Sequence, residues 1–247
     1  MIYLSGAVRA DFAGWLPDTA RRPGQLCHRR LHPDYEHWQD AGHGVGFMCT
    51  PNMGNRPVPG VVWAADNGCF ADPERFDVQR YLRWLDARDR ETCLFAAAPD
   101  WPPMPDHGLP GGDWSATLDR FEEVSPAIRA SGYRVALVAQ NGLEVYLDQL
   151  EFWFWRGEVD AIFLGGDDSW KVSDAAAEIV QSARRFGLWC HMGRCNSARR
   201  IRRAYEMGCD SADGTFLAYA GAGALTRVLR WLEPLDAQLT LPLVTAA

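Results

Sequence analysis

Short apolar runs alternate with longer amphipathic segments along this chain, and that alternation restricts its fold more than any other feature. Runs of strand length stand at residues 2–4, 44–49, 61–65, 92–97, 133–139, 159–164, 188–191 and 209–212. Helical spacing marks 76–88, 118–130, 143–155, 172–186, 198–207 and 220–232. In the first of these segments Phe76, Tyr81, Leu82 and Leu85 fall on one face, expected to be the inner one. Ser173, Asn196 and Ser197 are placed to cap helix N-termini, and Gly208 to end the helix that precedes it. Strands separated by helices run parallel through right-handed crossovers. Eight such runs match a closed (β/α)8 barrel, which takes about 250 residues. The expected fold class is therefore α/β: a single (β/α)8 TIM-type barrel domain over residues 1–247, with a long N-terminal excursion after the first strand. That excursion, residues 5–39, is polar and rich in Arg, Pro and His, and its length suggests a function. An open doubly wound sheet is the alternative. It would carry GxGxxG after its first strand, and none stands there.

Composition narrows the class further. The chain is 47% hydrophobic and 23% charged, as ordinary globular proteins are. A net charge of -7 gives no bulk attraction for a polyanion, so nucleic-acid binding would need a local basic patch. Lys171 is the only lysine, so nearly every cation is a guanidinium, the group suited to bidentate phosphate and base contacts. Codon usage in a GC-rich genome accounts for the same bias. Seven cysteines without a CxxC fit free thiols in a reducing cytosol. No leader is expected at Met1–Ser5, and no apolar run has the length of a membrane span. Cys27, His28, His32, Asp34 and His37 cluster in the excursion. Their spacing matches no strong metal template, and a solvated loop is the plainer account.

In a barrel of this type reactive groups collect where strands finish. Here the ends carry Asp66, Asp100, Gln140, Gly165-Gly166, Met192-Gly193 and Asp213. An Asp after a strand is often only a turn or cap residue, but the barrel would bring this whole set into one ring. Carboxylates, an amide and exposed backbone suit a heterocycle with several N–H groups, such as a guanine-like ring. Carboxylates accept from its N1–H and exocyclic amine, and glutamine can serve its carbonyl. Phe70 and Met192 could sandwich the ring, although core packing is the plainer account of both. Two carboxylates also suffice for exchange at a glycosidic carbon. One attacks the sugar and forms a covalent intermediate; the other moves protons on the departing and arriving bases. No metal is needed for this.

Asp66-Asn67-Gly68-Cys69-Phe70 resembles the Asp-Ser-Gly-Gly-Phe/Tyr motif of the tRNA-guanine transglycosylases. Val138-Ala139-Gln140-Asn141-Gly142 resembles their Val-Gln-Gly-Gly segment, and Leu164-Gly165-Gly166 their Leu-Gly-Gly. Met192-Gly193 and Gly208-Cys209-Asp210-Ser211-Ala212-Asp213 are similar to their Met-Gly and Gly-x-Asp-x-x-Asp segments, with order and spacing shared from about residue 44 to 217. The resemblance implies a (β/α)8 barrel that swaps guanine for a 7-deazaguanine through a glycosyl-enzyme intermediate. It implies Asp213 as nucleophile and Asp66 as general acid/base. Asp100, Gln140 and the Gly165-Gly166 backbone would read the base edge, with Phe70 and Met192 stacked on it. Asp210 is expected to be structural, because residues an odd number apart on a strand point oppositely.

The tRNA enzymes carry a zinc site, Cys-x-Cys-x-x-Cys plus His, that has no counterpart after Cys209. Ala98-Pro99-Asp100, Arg194-Cys195-Asn196-Ser197 and Asp213-Gly214-Thr215 look most like the DNA-acting relatives of phages and bacteria. The resemblance thus implies a pentosyltransferase whose partners are guanine-containing DNA and a 7-deazaguanine base, such as a 7-cyano or 7-aminomethyl derivative. No cofactor, metal or membrane is implied, and the place of action is the cytoplasm, that of the host if a phage carries the gene. Arg194, Arg199, Arg200 and Arg203 are expected to hold phosphates beside the target; a solvated helix face is the plainer alternative. A guanine in a duplex must be extruded first, and aromatic residues of the Trp101–Trp114 loop could fill the gap. Three other readings stand beside this one: the same exchange on tRNA, an unrelated barrel lyase or hydrolase for a small metabolite, and a non-catalytic nucleic-acid binder.

Overall fold

The computed structural model of the protein describes residues 1–5, 44–52, 56–57, 62–70, 73–220, 223–232 and 235. Within them the alternation closes into an eight-stranded parallel barrel whose strands follow chain order. The strands are β1 (Ile2–Ser5), β2 (Gly44–Cys49), β3 (Trp63–Ala65), β4 (Cys93–Ala97), β5 (Val135–Ala139), β6 (Ala161–Leu164), β7 (Trp189–Met192) and β8 (Ser211–Gly214). β8 pairs with β1 in register Ile2↔Ser211 and Leu4↔Asp213, which leaves the sheet without an edge. The helices are α1 (Val78–Asp86), α2 (Trp114–Ala130), α3 (Leu147–Trp155), α4 (Asp174–Arg185), α5 (Ala198–Met207), α6 (Phe216–Tyr219) and α7 (Ala224–Leu232). This is the (β/α)8 TIM-type barrel. The excursion with Cys27, His28, His32, Asp34 and His37 lies outside the described residues. No helix among the described residues is long and apolar enough to cross a membrane.

Two apolar layers hold the barrel, and strand parity divides them. Leu4, Met48, Ala64, Phe95, Ala136 and Ala161 fill the interior, with Phe163 packed against them. Residues of opposite parity, such as Tyr3, Phe47, Trp63, Leu137, Ile162 and Leu164, form the shell under the helices. Local chemistry sets the helix starts. Asp77, Asp113, Ser173 and Ser197 each accept from the backbone N–H three residues on. The Asp113 cap starts α2 four residues before the spacing suggests, at Trp114. The 143–155 segment opens as a 3-10 turn, Leu143–Tyr146, before α3. The 220–232 segment gives α7, which starts only at Ala224; the short α6, which the spacing does not mark, precedes it, and Gly223 stands at positive φ between them.

β8 begins two residues later than the apolar run at 209–212. Gly208 ends α5 at φ 101°, and the Cys209 N–H closes back on the Ala204 carbonyl at 2.9 Å. Both residues are therefore spent on the helix end, and Asp213 lies within the strand instead of after it.

The six described cysteines are free and buried. Burial pushes Cys49, Cys93, Cys190 and Cys195 up to about 12, which keeps them as unreactive thiols.

Gly46 sets how closely β2 approaches β3. A Cβ there would lie 2.4 Å from the Val62 carbonyl oxygen and 2.9 Å from Leu4 Cδ2. Gly46→Ala is expected to cost about 1–3 kcal/mol through overpacking. Thermal unfolding checks this, at about 2–4 °C per kcal/mol for a chain of this size; an unchanged Tm would contradict the packing.

Candidate functional site

Alternation along the strands aims residues 66, 140, 191 and 213 toward the barrel axis. Asp66 follows β3, and its own N–H is held by the Cys49 carbonyl at 2.8 Å. Its Oδ1 accepts from the Gly68 N–H at 2.7 Å. Gly68 has φ 80°, and a Cβ on it would meet Asn52 Nδ2 at 2.7 Å, so the turn requires glycine. Burial pushes the Asp66 carboxyl up to about 6; the Gly68 hydrogen bond opposes this and the Asp213 charge adds to it. The two aspartates therefore share one electrostatic environment.

Asp100, after β4, is 6% exposed. Its Oδ1 accepts from Asn67 Nδ2 at 3.0 Å and its Oδ2 from Gln140 Nε2 at 2.6 Å. Burial pushes its carboxyl up to about 7 against the Asn67 hydrogen bond, and Asp66 raises it further. Asn67 was not among the sequence candidates, although it is a polar residue at a strand end. Its Nδ2 also donates to the Ala98 carbonyl at 2.6 Å, and its Oδ1 accepts from the Cys69 N–H at 2.7 Å. It thereby ties the turn after β3 to the turn after β4. Gln140 is fully buried, and its Oε1 has no hydrogen-bond partner among the described residues. Nε2 is held by Asp100, and Oε1 lies against Gly112, where a Cβ would approach it to 2.7 Å.

Asp213 is 15% exposed on β8. Its Oδ1 lies 3.1 Å from His191 Nε2 and accepts from the Arg194 N–H at 3.2 Å. The Cys195 N–H donates to its backbone carbonyl at 2.6 Å. His191 is absent from the sequence candidates too; the signal was a polar residue of inward parity in an otherwise apolar run. Asp210 faces away, accepting from the Cys190 N–H at 2.8 Å and from Arg184 at 2.9 Å.

The expectations for Met192, the Gly165-Gly166 backbone and Arg194 change. Met192 is 1% exposed and belongs to the shell between strands and helices. It has the parity opposite to His191, so it cannot stack on a ring in the mouth. The Gly165 and Gly166 N–H groups are spent on the Ala139 carbonyl, at 2.9 and 3.1 Å. Their carbonyls accept from the Arg194 guanidinium at 2.9 and 2.5 Å. Arg194 therefore folds over the mouth and does not extend toward a phosphate. Its Cζ lies 5.1 Å from the ring centroid of Phe70, which is 62% exposed at the rim. Among the described residues Arg194 is the only non-glycine with positive φ, 59°.

Arg200 and Arg203 brace α5. Arg200 pairs with Asp168 at 2.6 Å and donates to the Arg194 carbonyl at 3.3 Å. Arg203 pairs with Asp174 and donates to the Val172 carbonyl, both at 2.9 Å. Arg199 and Arg202 are exposed beside them on a groove of about 700 Å³. Lys171 is buried and lies 2.9 Å from the Gly193 carbonyl and 3.0 Å from Asp168. The two tryptophans of the 101–114 loop are engaged within the protein: Arg120 lies 4.0 Å over Trp101, and Trp114 packs on Tyr146. Among the described residues no three His, Cys, Asp or Glu side chains gather to hold a metal.

No protein-family model matches the chain, and no curated protein is significantly similar to it in sequence.

The Asp66 carboxyl titrates near 3.8 when unperturbed and near 6 in the fold. Between those values the folded state binds more protons than the unfolded one, so stability falls as pH rises through that window. Asn at position 66 can keep the Gly68 hydrogen bond through its Oδ1. Asp66→Asn is therefore expected to raise Tm at pH 8 and to change it little near pH 3.5. Equal shifts at both pH values would rule out the buried charge as the cause.

Proposed function

We propose that this chain is a DNA-acting guanine transglycosylase that exchanges a guanine in DNA for a 7-deazaguanine, such as a 7-cyano or 7-aminomethyl derivative. The observation that carries the reading is that Asp66, Asp100 and Asp213 stand at the ends of strands on one rim of the closed barrel, where the Asp213 charge reaches Asp66 and that of Asp66 reaches Asp100. A carboxyl near 6 is partly protonated at neutral pH, as a group that both gives and takes a proton must be. Asp213 has one oxygen engaged by donors, which suits a carboxylate nucleophile.

In this reading an Asp213 oxygen bonds to C1′ while the C1′–N9 bond breaks. The electron pair leaves with guanine, which takes a proton from Asp66. The incoming base gives its N9 proton to Asp66 and attacks C1′, and the ester bond to Asp213 breaks. Asp66 and Asp213 end as they began. Asp100 and Gln140, joined through Oδ2 and Nε2, are the pair that reads the base edge. A base seated against the Gly165 and Gly166 carbonyls displaces the Arg194 guanidinium, which presents the same N–H donors to them and lies over the same Phe70 ring.

Purified protein incubated with guanine-containing DNA and labelled 7-cyano-7-deazaguanine is expected to place label in the DNA. Intact mass spectrometry should reveal a covalent protein–DNA adduct, and Asp213→Asn should lose both signals. Absence of label and adduct with the unmodified protein would end the reading.

DNA contact is assigned to the exposed pair Arg199 and Arg202. Alanine at either is expected to weaken DNA binding and to lower the slope of log affinity against log salt by about one. The Tm should stay nearly constant, because neither residue braces α5. An unchanged slope for both variants would remove α5 from the DNA interface.

A further inference from the structure

Beneath the mouth a chain of polar contacts runs from Trp189 through Ser211 and His191 to Asp213. Trp189 Nε1 donates to Ser211 Oγ at 2.8 Å. Ser211 Oγ lies 2.8 Å from His191 Nδ1, and His191 Nε2 lies 3.1 Å from Asp213 Oδ1. Donor and acceptor capacities orient the chain. An indole N–H can only donate and a carboxylate can only accept. Nε2 therefore carries hydrogen toward Asp213, and Ser211 Oγ, which accepts from Trp189, turns its hydroxyl to Nδ1. The imidazole is fully buried, with ring centroids 5.2 Å from Phe95 and 4.6 Å from Phe163. A polar ring in an apolar interior costs stability unless its nitrogens are satisfied, and an apolar side chain would avoid that cost.

We infer that His191 is a positioning residue for Asp213, a role that rests on the transglycosylase reading above. Among the described residues both donors to the Asp213 carboxylate, His191 Nε2 and the Arg194 N–H, meet Oδ1. Oδ2 is thereby the oxygen turned to C1′. As the C1′–Oδ2 bond forms and the C1′–N9 bond breaks, the electron pair departs with the base. Oδ1 passes from carboxylate oxygen to ester carbonyl oxygen. The hydrogen stays on His191 Nε2 throughout, so the imidazole fixes the carboxylate orientation without giving up a proton. Ser211, held by Trp189, fixes the imidazole in turn. Nothing in this arrangement has His191 touch base or sugar, so its effect belongs to the rate of the covalent step and not to affinity for the base.

The test uses the full chain with guanine-containing DNA and labelled 7-cyano-7-deazaguanine, measuring kcat, KM for the free base, and adduct formation by intact mass. Phe at position 191 suits the Phe95 and Phe163 surroundings but supplies no donor; Gln supplies an N–H. His191→Phe is expected to lower kcat about 10²-fold, the scale of a misplaced reacting group. Its KM should stay within about twofold, and its Tm near that of the parent. His191→Gln should recover most of the lost rate. A folded His191→Phe with full kcat, or with a raised KM and unchanged kcat, would overturn the positioning role while leaving base exchange in place. Should His191→Phe fail to fold, Ser211→Ala decides: a lowered kcat at constant KM supports the role, and an unchanged kcat overturns it. No exchange by the unmodified protein would instead remove the transglycosylase reading, and the role of His191 with it.

Discussion

The hydrogen-bonded pairing of β1 with β8 is the contact on which the rest of the structure depends. It joins the two ends of the sheet, and its register sets Leu4 beside Asp213. Once closed, a parallel barrel has one interior and one C-terminal rim, and each inward side chain is committed to a depth along the axis. Leu4 and Phe95 then fill the floor, while Asp66 and Asp213 stand above them. A slip of one residue in the β1–β8 ladder would turn Asp213 into the outer shell and Ala212 into the mouth.

Clustered carboxylates work against the fold that holds them. Asp66 and Asp100 are both raised by burial, and each also feels another carboxylate. The protein offsets this with fixed donors: the Gly68 N–H for Asp66, Asn67 and Gln140 for Asp100, and His191 with the Arg194 N–H for Asp213. Interactions of this kind stabilise the charged form of each group without neutralising it. The three carboxyls therefore differ in hydrogen-bond environment although they share a rim.

The arginines divide by geometry, not by sequence position. Arg194 covers the glycine carbonyls and the Phe70 ring, Arg200 and Arg203 tie α5 to the turns beneath it, and Arg199 points outward. One basic stretch thus serves the mouth, the scaffold and the surface. That division reconciles a net charge of -7 with a locally cationic groove.

The sequence by itself determined the barrel and most of its punctuation. Apolar alternation, caps at Ser173 and Ser197 and the stop at Gly208 act within a few residues, so they can be read locally. It also placed Asp66, Asp100, Gln140 and Asp213 at strand ends, because a polar residue closing an apolar run is visible without coordinates. Only the tertiary structure decided where the side chains there point. Met192 turned into the shell, His191 turned under Asp213, Gln140 turned its nitrogen to Asp100, and Arg194 folded over the glycines. Side-chain direction at a strand end depends on ladder register and on donors from neighbouring turns, and those come from chain segments far apart in sequence.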